Sequence, residues 1–377
     1  MRIELINYGP IRGLLVDEKP YWSPSGLNII MGVTGSGKTM LAWALYMEPA
    51  YIVLDALRPY VGGVISDVTS PILWMADMAG FRNYDELHRG SSMYICVEGY
   101  NLNNELRGIG LDPCAVEYVC LGHDKGNIKV EVVMRSGERR PIEPSRELIE
   151  ALAIYASAIM SIPRTLRESL YRWDFEALER LLRPLEKLRD QLTKGAEEDR
   201  AVQALNILLR LRIPLVSTVE TGMETGKFLE YETHGEGKLV LKYSTGELTR
   251  GIMDMADDLS SRVKDFAREK AGLEITPLVL IDDALDGIVC ASVKDVVEVL
   301  KDMVKGGIIT ILTSYRPEIL TCEEGFKELE GFTHTYIASY GIDLMRKYVS
   351  TDINYRINLV DVDRMSEEDY DKVAGML

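Results

Sequence analysis

The stretch MGVTGSGKTM at residues 31–40 constrains the chain most, because it places Gly-x-x-x-x-Gly-Lys-Thr from Gly32 to Thr39. The glycines let successive backbone N–H groups turn toward an anion, and a helix beginning near Lys38 adds the positive end of its dipole. Lys38 would contact the β- and γ-phosphates, and the Thr39 hydroxyl would bind Mg²⁺. Because an apolar run at residues 27–31 precedes the loop, the motif is predicted to join a strand to a helix as a P-loop.

Composition indicates the cellular setting. The chain begins with a strand-like segment and contains no run of the roughly 20 apolar residues that cross a membrane, so we expect a cytoplasmic protein without membrane contact. Gln occurs only twice, while Glu, Arg and Ile are abundant, which is typical of thermophiles. Scattered cysteines and histidines, with no C-x-x-C pair, predict reduced thiols, no zinc site and no metal site built from histidines. These residues are Cys96, Cys114, Cys120, Cys290, Cys322, His88, His123, His234 and His334.

The net charge of −16 argues against a broad nucleic-acid surface, which is usually basic. Any contact with DNA must therefore come from a local patch. Residues 161–214 contain eleven Lys and Arg against nine Asp and Glu, which makes this the least acidic sizeable region and the first place to expect DNA or a partner.

The first part of the chain, residues 1–145, is predicted to contain three short strands before the P-loop and an antiparallel patch after its helix. Residues 49–92 show no regular pattern. Alternating runs follow, and Asp124-Lys125-Gly126-Asn127 is typical of a hairpin turn.

The remaining chain divides into three parts. Residues 146–212 have apolar side chains at spacings of three and four, which predicts a helical insertion. In residues 213–350, buried strands alternate with helices, which favours a parallel sheet. Residues 351–377 form an acidic C-terminal tail.

A second acidic motif, LVLIDD, ends at Asp282 and Asp283. Four apolar residues followed by an acid are typical of the strand that completes a P-loop site. Asp282 would hold Mg²⁺ through water, and Asp283 at the strand tip could orient the attacking water as a general base.

The segment YSTGEL, residues 243–248, has two interpretations. Ser244 followed by Glu247 forms a capping box, which is a structural device at a helix start. The Ser244 hydroxyl and the Gly246 backbone could equally form an anion site that holds the γ-phosphate of a nucleotide on another subunit.

Taken in order, these motifs resemble those of the ABC-class ATPases outside the transporters, the RecF, SMC and OLD-like group. The opening strands and P-loop, the signature-like YSTGEL, the Walker B-like LVLIDD and the switch-like ITILTSYRPEIL carry the resemblance. It implies an α/β P-loop NTPase of ABC type, with a mixed or parallel sheet flanked by helices, an N-terminal antiparallel β patch and a helical insertion. Residues 1–145 and 213–350 would be the two ATPase lobes.

The resemblance also implies a set of site residues for ATP and Mg²⁺. Asp283, Lys38 and Tyr315 would be catalytic, and Thr39 and Asp282 would hold the metal. The nucleotide would contact Gly32, Thr34, Gly35, Ser36, Gly37, Lys38, Thr39, Ser244, Gly246, Glu247 and Asp286.

Several positions depart from the family pattern. Tyr315 aligns with the switch histidine, and Asp283 is one methylene shorter than the usual Glu. No Q-loop glutamine is visible, although His88-Arg89-Gly90 falls roughly where that loop is expected. Asp286 resembles the D-loop aspartate but follows Asp282 too closely. These departures predict slow hydrolysis.

The leading interpretation is an ATP-binding, ATP-hydrolysing head that forms a homodimer around two ATP molecules and acts on DNA in repair, chromosome organisation or defence. A second is an ATP-gated switch that recruits a separate nuclease or effector without binding DNA. A transporter subunit is disfavoured by the missing Leu-Ser-Gly-Gly-Gln signature. A further alternative is a P-loop NTPase of the AAA or STAND type, but those classes lack a signature serine that acts on another subunit.

Overall fold

A computed structural model describes residues 1–8, 11–16, 19–32, 35–81, 84–166, 187–188, 191–192, 199–225, 230–234, 238–242, 245–284, 290–315, 333–339, 356–362, 366 and 368. Strands and helices alternate through most of this part of the chain. The strands are β1 Arg2–Tyr8, β2 Ile11–Val16, β3 Leu27–Met31, β4 Ser92–Glu98, β5 Val116–Asp124, β6 Asn127–Met134, β7 Arg139–Pro141, β8 Ile159–Ile162, β9 Glu230–His234, β10 Lys238–Lys242, β11 Leu278–Ile281, β12 Ile309–Ser314, β13 Thr333–Ser339 and β14 Arg356–Asp361. The helices are α1 Lys38–Met78, α2 Tyr84–Gly90, α3 Asn103–Gly108, α4 Arg146–Ser157, α5 Arg200–Thr225, α6 Thr245–Phe266 and α7 Cys290–Lys305.

Twelve of the described strands form one sheet in the order β7-β6-β5-β4-β1-β2-β14-β13-β3-β12-β11-β8, and β9 pairs with β10 as a separate hairpin. Strands β13, β3, β12, β11 and β8 are parallel. From β7 to β2 the sheet is antiparallel. This mixed α/β architecture, with an antiparallel patch at the N-terminal side, agrees with the predicted fold class.

The P-loop strand β3 lies inside the parallel half, and all five of its residues are buried. Strand β12 separates it from β11, the strand of the second acidic motif. Because parallel strands end at the same edge of a sheet, the loops after β3, β11, β12 and β8 meet there, which is where open α/β sheets bind ligands.

Helix α1 corrects the expectation that residues 49–92 are irregular, since it continues to Met78. Its sequence contains Pro49, Pro59 and Pro71, which remove backbone hydrogen bonds and hide the helical pattern. The backbone leaves helical geometry at Val61, with φ −136° and ψ 37°. Length and apolar composition would suit a membrane span, but most of the helix is buried inside the fold, as expected of a core helix.

Residues 146–212, predicted as a helical insertion, contain a strand of the main sheet. The strand β8 is fully buried and pairs in parallel with β11. Helices α4 and α5 on either side contact α1 and each other. The purely helical prediction is wrong at this strand, because a short segment that is buried on all sides has no amphipathic period that would distinguish a strand from a helix.

The acidic tail, residues 351–377, also contributes to the sheet. Its strand β14 lies between β13 and β2, so the tail is not a separate appendage. The sequence also predicts a helix near residues 342–348, and these residues lie outside the part of the chain that the structure describes.

The hairpin between β5 and β6 matches its prediction. Its two central residues, Lys125 and Gly126, have φ of 52° and 77°, and positive φ at both positions is what a type I′ turn requires. The turn fixes the register that pairs Asp124 with Asn127.

Two of the scattered cysteines meet across the antiparallel patch. Cys96 and Cys120 lie directly opposite each other on β4 and β5 and form a disulfide, so the expectation of reduced thiols is wrong for this pair.

Candidate functional site

The P-loop has the backbone geometry that anion binding requires. Gly35 and Gly37 have φ of 87° and 94°, a region that other residues avoid. A Cβ on Gly32 would lie 2.7 Å from the carbonyl oxygen of Ala338 on β13, so a larger residue does not fit. Lys38 is buried and donates to the Gly32 carbonyl at 2.5 Å. Its ammonium therefore lies inside the loop; Thr34 falls outside the described residues.

The second acidic motif meets the P-loop helix at the carboxyl edge of the sheet. Asp282 is fully buried, and its carboxylate accepts hydrogen bonds from the Thr313 hydroxyl at 2.6 Å and from the Arg164 backbone N–H at 3.2 Å. A side-chain hydrogen bond also links it to Thr39. Thr39 and Asp282, which were predicted from motifs far apart in sequence, are thus brought together.

The charge balance of this cluster fits a hard cation. Burial raises the pKa of Asp282, and repulsion from Asp283 raises it further, against the lowering effect of its hydrogen bonds with Thr313, Arg164 and Thr39. Carboxylate and hydroxyl oxygens are the ligands that Mg²⁺ prefers. The donor set of Thr39 and Asp282 therefore suits Mg²⁺, which would relieve the repulsion between the two carboxylates.

Asp283 has an unusual backbone at the tip of β11. Its φ is 50°, which is uncommon outside glycine and concentrates at functional sites. Its N–H donates to the Thr313 hydroxyl oxygen at 2.8 Å, and its carboxylate pairs with the Arg164 guanidinium at 3.0 Å. Thr313 therefore connects both acids to the tip of β12.

Sequence reasoning missed Thr313 and Arg164. A signal for Thr313 exists, because Thr313 and Ser314 are two successive polar residues at the end of β12. Arg164 follows β8, which was interpreted as part of a helix. The predicted switch residue, Tyr315, lies one position beyond β12 with 41% of its surface exposed.

The signature-like residues are described only in part. Gly246 and Glu247 lie in the first turn of α6, which begins at Thr245, so the helix starts where the capping box predicted. Ser244 and Asp286 lie outside the described residues, and their roles remain predictions.

His88, from the segment expected at the Q-loop, lies instead in a buried cluster beneath α1. Its Nδ1 contacts Glu48 Oε2 at 2.8 Å, and the same oxygen lies 2.5 Å from His123 Nε2. The other ring nitrogen of His88, Nε2, lies 3.7 Å from Asp55 Oδ2. The histidines are therefore not all dispersed, since the fold brings two of them onto one glutamate.

Hydrogen bonds connect the three members of this cluster. The Gly126 N–H donates to His123 Nδ1 at 3.3 Å, so His123 must carry its proton on Nε2 and donate to Glu48. Burial would raise the pKa of Glu48, but the bonds from His123 and His88 hold it below its usual range. Burial would lower the pKa of His88, but Asp55 and Glu48 raise it to about 9. Glu48 and His88 thus form a buried ion pair.

Comparison with solved structures returns heads of SMC proteins at low similarity. An SMC head bound to the C-terminal winged-helix domain of ScpA is 15% identical, with 98% of each chain covered and a TM-score of 0.37. An SMC head with an extended coiled coil, bound to the C-terminal domain of ScpA derived from Pyrococcus furiosus, is 13% identical, with 100% and 98% covered and a TM-score of 0.34. The SMC head from Thermotoga maritima is 11% identical, with 96% and 98% covered and a TM-score of 0.29. No protein-family model and no curated protein matches the chain.

Proposed function

We propose that the chain is an ATP-binding and ATP-hydrolysing head of ABC type. The observation that carries the proposal is the convergence of Lys38, Thr39 and the paired acids Asp282 and Asp283 at one edge of the sheet. The four residues come from two motifs that lie far apart in the sequence, at residues 32–39 and 278–283, and only the fold brings them together. The preference for ATP rests on the family resemblance.

Each residue has a defined task in this proposal. Lys38 and the loop N–H groups bind the phosphates, and Thr39 and Asp282 hold Mg²⁺, which supplies charge neutralisation when it is bound. Asp283 accepts a hydrogen bond from the attacking water and orients it toward the γ-phosphate. Since positioning and electrostatics supply most of phosphoryl-transfer catalysis, the short Asp283 side chain supports slow turnover.

The binding test is Lys38→Ala, which should abolish affinity for ATP because it removes the ammonium from inside the loop. Lys129→Ala is the matched control, since Lys129 pairs with Asp124 on the surface of the antiparallel patch. Isothermal titration with ATP and Mg²⁺ measures both variants. Wild-type affinity in Lys38→Ala would remove the proposed site.

We further propose that two heads close around two ATP molecules, with Ser244, Gly246 and Glu247 of one chain contacting the nucleotide of the other. The start of α6 at Thr245 supports this, because a helix N-terminus favours an anion. In sedimentation with ATP and Mg²⁺, Asp283→Asn should dimerise, and a second change, Ser244→Arg, should prevent it. A monomer in the first case, or a dimer in the second, would reject the sandwich.

The output on DNA is proposed from the family resemblance. A competing candidate is an ATP-gated switch that recruits a nuclease or effector, and the net charge of −16 favours it, because nonspecific DNA binding relies on basic surface. A mobility-shift titration of Asp283→Asn with ATP separates the two candidates. DNA binding that weakens steeply with salt supports the first, and its absence supports the second.

A further inference from the structure

Arg164 lies beside the two acids of the candidate site, although no motif points to it. It follows β8 after a single proline, Pro163. Because β8 pairs with β11, the end of β8 lies next to the tip that carries Asp282 and Asp283. The Asp282 N–H donates to the Ile162 carbonyl at 3.1 Å, which continues this pairing to the site.

The backbone around Arg164 is held from two sides. Its own N–H donates to the Asp282 carboxylate at 3.2 Å. The next residue, Thr165, accepts a hydrogen bond from the Trp43 ring at 3.0 Å, and Trp43 lies on α1. Leu166 is fully buried. The position of Arg164 is therefore fixed relative to both the P-loop helix and the acidic strand.

The side chain of Arg164 contacts the second of the two acids. It is 46% exposed, and its guanidinium contacts Asp283 Oδ2 at 3.0 Å while Asp283 itself is buried. An ion pair with one half-exposed partner contributes little to stability. The ion pair can still fix the orientation of the Asp283 carboxylate, because a guanidinium imposes a planar hydrogen-bonding geometry.

We propose that Arg164 is a positioning residue for ATP hydrolysis, acting through Asp283. The guanidinium fixes the carboxylate that orients the attacking water, and it places a positive charge beside two acids that repel each other. Asp283 is held from both ends, by Thr313 at its backbone N–H and by Arg164 at its carboxylate. This inference rests on the proposed ATPase function.

The test compares steady-state ATP hydrolysis by Arg164→Gln and Arg164→Lys with that of the wild type. Arg200→Gln is the matched control. Like Arg164, Arg200 pairs with a buried carboxylate, that of Glu105 at 2.8 Å, but it does not contact the acids of the site. We expect Arg164→Gln to lower kcat by about 10- to 100-fold and to leave KM and directly measured ATP affinity within about twofold. Arg164→Lys should recover part of kcat, because it keeps the charge without the planar geometry.

Several outcomes would overturn the inference. These are an unchanged or increased kcat in Arg164→Gln, a loss confined to KM, an equal loss in Arg200→Gln, or a Lys variant no better than Gln. Failure of the proposed function would give a different result. The wild type would then show no ATP binding or hydrolysis, or an activity that Lys38→Ala leaves unchanged.

Discussion

Helix α1 contributes to two buried acidic clusters, and their negative charge is balanced in different ways. Near its start, Thr39 meets Asp282, which lies beside Asp283. Nine residues further along the same helix, Glu48 contacts His88 and His123. Burial raises the pKa of Asp282, with further help from its acidic neighbour, whereas the histidines lower the pKa of Glu48 despite burial.

The opposite directions distinguish the proposed cation site at Asp282 from the ion pair at Glu48. A buried carboxylate with a lowered pKa already has its cation, and His88 supplies that cation to Glu48. The pKa of Asp282 is raised by burial and, to a smaller extent, by the neighbouring Asp283, and an added cation would offset both effects. The following predictions test this distinction.

The largest expected effect is on turnover at the edge of the sheet. Asp283→Asn should lower kcat for ATP hydrolysis about a thousandfold, within the range for a lost general base, because the amide cannot accept a proton from water. ATP affinity should be retained, since Asp283 is assigned no contact with the phosphates. Asp283→Glu should preserve or raise kcat. Full activity in Asp283→Asn would show that another residue is the base.

The Glu48 cluster should respond in stability instead. Glu48→Gln should lower the free energy of unfolding by roughly 3 kcal/mol, because it removes the nearest counter-charge of a buried imidazolium and leaves only the more distant Asp55. Urea unfolding measures the loss, and Glu117→Gln, an exposed change on β5, serves as control with an effect within about 0.5 kcal/mol. ATP turnover per folded molecule should remain. A stable but inactive Glu48→Gln would reverse the assignment.

Sequence reasoning reached further at the first cluster than at the second. The P-loop and the acidic strand have local signatures, because phosphate binding requires glycines, Lys38 and Thr39 at fixed spacing. Glu48, His88 and His123 come from a helix, a short helix and a strand, and their contact depends on how these elements pack. The spacing of these three residues in the sequence does not indicate that they meet.

The fold shows the same limit. Strands with turn residues between them were predictable, including the hairpin at Lys125 and Gly126. Helix α1 was missed beyond residue 48 because its prolines obscure the pattern, and β8 was missed because a short, fully buried segment suits a helix or a strand equally. Arg164 was missed with β8, since its role depends on a strand pairing.

A smaller effect is expected from pH. The pKa of His88 is raised from 6.5 to about 9 in the folded chain, so its contribution to stability is fully present below pH 6.5 and is lost as pH rises through about 9. Unfolding free energies between pH ~6 and ~10 should fall by on the order of 2 kcal/mol from this group. His88→Gln should flatten the slope, because the groups that titrate in both proteins cancel. Identical slopes would show that His88 is not charged in the fold.

The smallest effect is expected at Asp282, and it gives the sharpest contrast with Glu48. Asp282→Asn removes a charge that burial and Asp283 disfavour, and it also weakens the hydrogen bonds from Thr313 and Arg164. These changes oppose each other, so the free energy of unfolding without nucleotide should stay within about 1 kcal/mol of wild type. Stabilisation by ATP with Mg²⁺, measured as a rise in Tm, should be lost. If Asp282→Asn instead destabilises the chain as much as Glu48→Gln does, the charge of Asp282 is already compensated within the fold, and the raised pKa does not mark a cation site.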